Sequence, residues 1–204
     1  LFVISIVLLI ITLNFKLFLF NFDIYKKEFT KFNIYSKIPD ADKNALNLIK
    51  FMHDKEELNN FFNDKEKSHL QDVKNLFKKL SLIFYFTLIL TLIFLIYFIY
   101  KKEYKVIYSS LFNSSLILIL ILFLLFIIDF NYLYTKFHII TFNNNLWQLD
   151  PSKDNLVNLF PEEFQYNIAK KIFTNVLITL FILLILALII KSRLNKSFLN
   201  NSNL

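Results

Sequence analysis

Uncharged apolar runs alternate with charged, mixed segments along the 204-residue chain. Residues 81–100, 106–128 and 172–190 are uncharged stretches of 20, 23 and 19 residues. About 20 apolar residues in a helix cross a hydrocarbon core ~30 Å thick, so these three read as transmembrane helices. A weaker run covers residues 1–20, where Lys16 interrupts an otherwise uncharged sequence. A lysine near a helix end extends its ammonium to the headgroups, so this run also reads as a span. No small-residue cleavage site follows it, which argues against a signal peptide. The chain begins without Met, and a short tail is expected to precede Leu1.

Four spans place both termini on one side. Their connections are unequal. Residues 101–105 form a tight turn carrying Lys101, Lys102 and Lys105, and the tail 191–204 carries Lys191, Arg193 and Lys196 with no acid. Dense Lys and Arg in short flanks mark the cytoplasmic side. Residues 21–80 and 129–171 are long and mixed in charge; the first holds 12 Lys and 10 acids, at a length where the positive-inside rule loses force. The expected fold is therefore an all-α polytopic membrane protein. A four-helix bundle would carry a small extracellular cap built from the two long loops, with both termini cytoplasmic.

Within residues 21–80, the stretch 22–35 is rich in aromatic and β-branched residues and predicts extended structure. Pro39 and Asp40 read as a helix start, with Asp40 as N-cap; Ala45, Leu48, Ile49 and Met52 then recur at helical spacing. A second helix is expected over 63–80. Asn63 and Glu66 resemble a capping box, and Leu70, Val73, Leu76, Phe77 and Leu80 follow at three- and four-residue steps. No Gly or Pro separates this helix from the span at Ser81, so it should continue into the membrane. In the other loop, Pro161, Glu162 and Glu163 read as the start of a helix that becomes the last span.

Composition sharpens this picture. Hydrophobic residues make up 56% of the chain, above the ~45–50% of soluble domains. There is no Gly, which removes the P-loop, the dinucleotide fingerprint, the nucleophile elbow and GxxxG packing. There is no Cys, which removes disulfides, thiolate metal sites and a thiol nucleophile. The net charge of +7 is a topology signal rather than a nucleic-acid footprint.

Candidate chemistry concentrates in the long loops. Glu66, His69 and Asp72 lie at three-residue steps along one helix stripe, with His69 and Asp72 within mutual reach. His138 lies in the other loop, and bundle geometry would bring the two histidines together at the membrane surface. An ordinary imidazole pKa of about 6.5 suits acid–base work; the plain alternative is a pair of interfacial histidines with no task. Glu66-x-x-His69 also resembles half of a di-metal carboxylate site, but no second such pair is present. A single zinc on His69, His138 and a carboxylate is the remaining metal reading. His53 reads as a helix C-terminal residue, Trp147 as an interface anchor, Asp150, Pro151 and Asp154 as a turn, and Asp129 as a span-terminating charge. Asn113 and its neighbouring serines in the third span are expected to hydrogen-bond across helices or to the backbone.

The run Glu66-Lys-Ser-His69-Leu-Gln-Asp72-Val73 is similar to the Glu-x-x-His-Met-x-Asp-Val signature of the lipoprotein intramolecular transacylase family, Lit. Asp129-Phe, Phe137-His138, Phe142, Asn144, Trp147, Asp150-Pro151, Asp154 and Phe160-Pro161 resemble that family's second signature. Leu70, Lys65 and Asn145 depart from it, standing where Met, Arg and Asp are usual.

The resemblance implies transfer of the sn-2 acyl chain of an S-diacylglyceryl-cysteine lipoprotein onto that cysteine's own α-amine. It implies a bacterial cell membrane, an extracellular active site, no cofactor and no metal. The partners would be the diacylated lipoprotein N-terminus and the bilayer. On that basis His69 is expected to act as general base oriented by Asp72, and His138 as donor to the oxyanion or leaving oxygen, with the exchange of these two roles left open. Asn144 and Trp147 would add hydrogen-bond donors or position the ester, and Glu66, Asp150 and Asp129 would support them. The competing readings are an outward-facing metal-dependent lipid hydrolase and a non-enzymatic four-span adaptor.

Overall fold

The computed structural model describes the backbone of residues 1–19 and 21–202, with side chains through residue 195. Phe20 and the side chain of Lys196 lie outside the described residues. The described chain is helical, without strands. In order, its helices are α1 (Phe2–Leu19), α2 (Phe22–Lys31), α3 (Ile34–Lys37), α4 (Ala41–Met52), α5 (Asp64–Tyr100), α6 (Tyr104–Phe126), α7 (Phe130–Thr141), α8 (Asn155–Leu159) and α9 (Glu162–Ser202). Four of them, α1, α5, α6 and α9, are long and apolar enough to cross a membrane.

The chain divides into two compact units. The first comprises Leu1–Phe15, Ser81–Ile127 and Ile172–Leu204. Its core is a seam of Phe2, Ile6, Ile10, Leu118, Val176 and Leu180, with Phe94 and Phe98 each 5.5 Å from the Phe2 ring. Polar groups stitch the helices where apolar contact cannot discriminate protein from lipid. Thr91 donates to Ser5 at 3.0 Å, and Asn175 donates to the buried Asn14 amide oxygen at 2.5 Å. Ser114 and Ser115 bond back to the carbonyls of Ser110 and Leu111, and Ser114 also reaches Val3 across helices. Many other apolar side chains of these helices, among them Leu82, Phe86, Ile96, Leu120, Phe123 and Phe181, are exposed, as lipid contact requires.

The second unit comprises Lys16–Leu80 and Ile128–Lys171. Phe29, Phe160 and Phe164 cluster with Tyr25, with ring centroids 5.0 to 6.4 Å apart. The buried Glu28 carboxylate accepts from Lys171 at 2.6 Å and Asn167 at 2.8 Å, tying α2 to the first turns of α9. Burial raises the Glu28 carboxyl, but these donors together with Lys31 outweigh it and hold the group below its ordinary range. Lys74 packs over Phe51 at 3.9 Å and pairs with Asp54 at 2.9 Å, tying α4 to α5.

Residues 22–35 are not extended. They form α2 and α3. Phe22, Tyr25, Phe29 and Phe32 recur every three or four residues, and the Asn21 side chain accepts from the Ile24 N–H at the helix start. Helical periodicity and capping outweigh the strand propensity of the individual residues, which is a weak preference. Residues 129–160, expected to be loop, contain α7 and α8.

Candidate active site

The site is built on the second unit. Its foundation is the start of α5. The Asn63 N–H donates to Glu66 Oε2 at 2.7 Å while the Glu66 N–H donates to Asn63 Oδ1 at 2.9 Å, a reciprocal capping box. Glu66 is fully buried, and its second oxygen accepts from the Leu156 N–H, so the same carboxylate also fixes the start of α8. The Asn63 side chain donates to Asp154 at 2.8 Å. Lys65 donates to the Gln148 carbonyl at 2.6 Å and stands 3.5 Å from Asp154. Burial raises the Asp154 carboxyl, but the Asp150 N–H, Asn63 and Lys65 outweigh it and hold it below the usual carboxylate range. Residues 148–156 are thus clamped to the α5 N-terminus.

His69 stands one turn further along α5 and is buried. Its ring lies 6.3 Å from that of His138, centroid to centroid, with the Phe142 ring 5.2 Å from His69 and 5.7 Å from His138. The His69 Nδ1 is buried and makes no hydrogen bond. Burial pushes its pKa down to about 4; His138 adds to the depression, Asp72 opposes it and Lys65 reinforces it.

His138 lies on α7, also buried. Its Nδ1 is 2.7 Å from the Tyr134 carbonyl one turn earlier. A carbonyl only accepts, so Nδ1 carries the proton and Nε2 keeps its lone pair. Trp147 tilts over the ring at 4.9 Å and Tyr134 packs at 4.1 Å. Burial lowers the His138 pKa and the Tyr134 carbonyl partly restores it. Both imidazoles are therefore neutral near pH 7.

The other expected residues fall in distinct places. Asp72 does not hydrogen-bond His69; its carboxylate accepts from Asn144 at 2.9 Å. Asn144 thereby fixes the loop between Phe142 and Trp147, aided by its own oxygen accepting from the Leu146 N–H at 3.1 Å. Asp150 is exposed and closes a turn through Ser152, whose N–H and hydroxyl it accepts at 2.9 and 2.8 Å. Asp129 caps α7, accepting from Tyr132 N–H at 3.0 Å. His53 is the C-cap of α4. Ile139, Phe142 and Trp147, together with the amides of residues 143–145 and Gln148, line an open cavity of about 310 Å³; Phe142 and Trp147 are also the rings that pack against the histidines. Among the described residues, no three His, Asp, Glu or Cys side chains converge as a metal site. Sequence reasoning missed Tyr134, whose carbonyl sets the His138 tautomer. Its signal was the four-residue spacing, which matters only once α7 is known to be a helix.

The sequence profile of the family described as lipoprotein intramolecular transacylase Lit matches residues 1–165. The chain belongs to the Lit family. It is accordingly a membrane-integral, multi-pass enzyme of the transacylase class that acts in lipoprotein modification. Lit from Bacillus cereus shares 22% identity with it at a TM-score of 0.82, covering 96% of this chain and 94% of that one. A histidine-to-alanine variant of the same Bacillus cereus protein matches at a TM-score of 0.78 and 23% identity, covering 96% and 92%. A histidine-to-arginine variant gives 0.77 at 23% identity, covering 96% and 91%. These likenesses show a shared Lit fold. Comparison with curated proteins finds no match.

Proposed function

We propose that this chain moves the sn-2 acyl chain of an S-diacylglyceryl-cysteine lipoprotein onto the cysteine's own α-amine, using His138 as proton carrier and His69 as oxyanion donor. The observation that carries this reading is the pair of buried imidazoles from α5 and α7, 6.3 Å apart, next to a cavity lined by both apolar and amide side chains. Such a cavity suits a substrate that is acyl chain at one end and peptide at the other.

The amine attacks the ester carbonyl, forming the C–N bond. Its surplus proton passes to the free Nε2 of His138, and the Tyr134 carbonyl steadies the imidazolium through Nδ1. His69, too weakly basic to be protonated at pH 7, donates a neutral imidazole N–H to the oxyanion. Collapse breaks the acyl–oxygen bond, and His138 returns the proton to the departing sn-2 oxygen. The product is an N-acyl, S-monoacylglyceryl lipoprotein, with no external acyl donor. Because amine and ester belong to one molecule, much of the orientation cost is met by the substrate. Asp72 acts through Asn144 to hold the Trp147 loop over His138. Glu66, Asn63 and Lys65 hold the same loop from its other end. The paired cationic flanks of the sequence support cytoplasmic termini and a site on the extracellular face.

A lipoprotein labelled with heavy isotope only in its sn-2 acyl chain tests the reading. Mass spectrometry of the N-terminal peptide should place the whole label on the α-amine. Label remaining on glycerol, or released as free fatty acid, would refute transfer and favour a hydrolase.

A further inference from the structure

We propose that the outer face of α7 is immersed in the lipid leaflet and sets the depth at which His138 works. One side of α7 turns inward, with Tyr134 half-buried and His138 buried. On the outer side, Tyr132 and Ile139 are each 55% exposed, Phe137 51% and Ile140 80%. A helical advance of 100° per residue gathers Tyr132, Lys136, Ile139 and Ile140 on one stripe. Scattered exposed apolar residues are ordinary, but here three of the four share one stripe of a 12-residue helix and Phe137 borders it beside Ile140.

Three observations identify the occupant as bilayer lipid. The only charge on the stripe is Lys136, whose ammonium lies 5.5 Å over the Tyr132 ring. An aromatic ring beside a lysine that can extend to the headgroups, amid isoleucines, is the make-up of an interfacial helix. The chain also leaves little freedom. Three peptide steps of at most ~3.6 Å separate Phe126, where α6 ends, from the α7 cap Asp129, so the helix begins within ~11 Å of the end of a span. The third observation is distribution. A 12-residue helix is ~18 Å long. One standing upright on a membrane would expose apolar residues only at its base, whereas the most exposed one here, Ile140, is near the far end and Tyr132 near the start. A helix lying flat keeps both at one depth.

A helix with its side chains is ~10–12 Å across, and interfacial helices sink about 5–10 Å into the headgroup boundary. Immersion of the outer face therefore carries His138, on the inner face, at the level of glyceride esters rather than acyl tails. Ile139 also lines the cavity beside the histidines, so the immersed face and the cavity are continuous. The consequence for chemistry rests on the acyl-transfer reading; the immersion itself does not.

The chain has no cysteine, so single cysteines can carry nitroxide labels directly. Full-length Ile140→Cys, Tyr132→Cys and Lys153→Cys variants would be reconstituted in phosphatidylglycerol–phosphatidylcholine vesicles. Collisions with oxygen, which partitions into lipid, and with a water-soluble nickel chelate would then be compared. Labels at 140 and 132 should both favour oxygen over nickel several-fold more than the label at 153. A label at 140 that matches 153 overturns the proposal, as does an oxygen preference at 132 alone, which would mean an upright helix. Shielding from both reagents with spin–spin broadening also overturns it, since a second copy would then cover the face. Loss of acyl transfer in histidine variants would leave the depth readings unchanged, so the two proposals fail separately.

Discussion

At the level of single residues, the protonation of His138 decides whether a base is available. Its Nδ1–H is committed to the Tyr134 carbonyl, and burial depresses its pKa, so the neutral form persists below the ordinary value of about 6.5. The sign is clear: the working form is lost as pH falls, and later than for a free histidine. Trp147, the only tryptophan, stacks near this ring and reports on it, because an imidazolium quenches indole emission. Acid titration should quench Trp147 with a midpoint below 6.5, and the step should vanish in His138→Gln; a midpoint above 6.5 would contradict the tautomer and burial described. The two histidines were legible in the sequence because they flank spans and have no rivals but His53. The partnership of Asp72 with Asn144 was not. Its members are 72 positions apart, and helix spacing pointed to the nearer His69.

Elements tell a similar story about local and distant signals. The capping box at Asn63 and Glu66 was legible because both members lie within one turn. The hold of Glu66 on Leu156 was not, because it spans 90 positions. α7 escaped detection for a physical reason: both of its faces carry apolar residues, so no polar stripe marks the helical period. α2 was misread because its ring-bearing residues favour strands individually while their spacing favours a helix. The absence of glycine leaves its mark at helix ends. After α5, the Glu103 N–H bonds the Phe98 carbonyl at 2.8 Å and the Lys102 N–H bonds that of Ile99 at 3.0 Å, a Schellman ending with Lys102 at φ 57°. A left-handed residue with a Cβ costs about 1–2 kcal/mol, part of which glycine returns as chain entropy. Lys102→Gly should therefore raise the unfolding free energy by ~1 kcal/mol in a denaturant titration in detergent; unchanged or lower stability would show that the lysine makes a compensating contact.

Over the whole molecule, the chain combines four apolar helices with a second unit, which assembles its site from residues 63–72 and 134–156. The spans were legible from hydropathy alone, since lipid requires every backbone group to be satisfied within a helix. The proposed sidedness rests on a charge bias in the short flanks, and a cysteine-free chain makes it easy to test. In intact cells, a membrane-impermeant maleimide should label Lys153→Cys and leave Lys101→Cys unlabelled until the membrane is opened; the reverse pattern would invert the topology. The claim on which the rest depends is that His69 and His138 act as one catalytic unit. A double-mutant cycle measures this directly, with lyso-form lipoprotein quantified by mass spectrometry in His69→Ala, His138→Ala and the double variant, each checked for folding. Loss of a general base or an oxyanion donor costs about 10²–10⁴ in rate, and losses from groups that act together do not multiply. Each single variant should fall by that order and the double variant little further; full conversion in either folded single variant, or losses that multiply, would contradict the account.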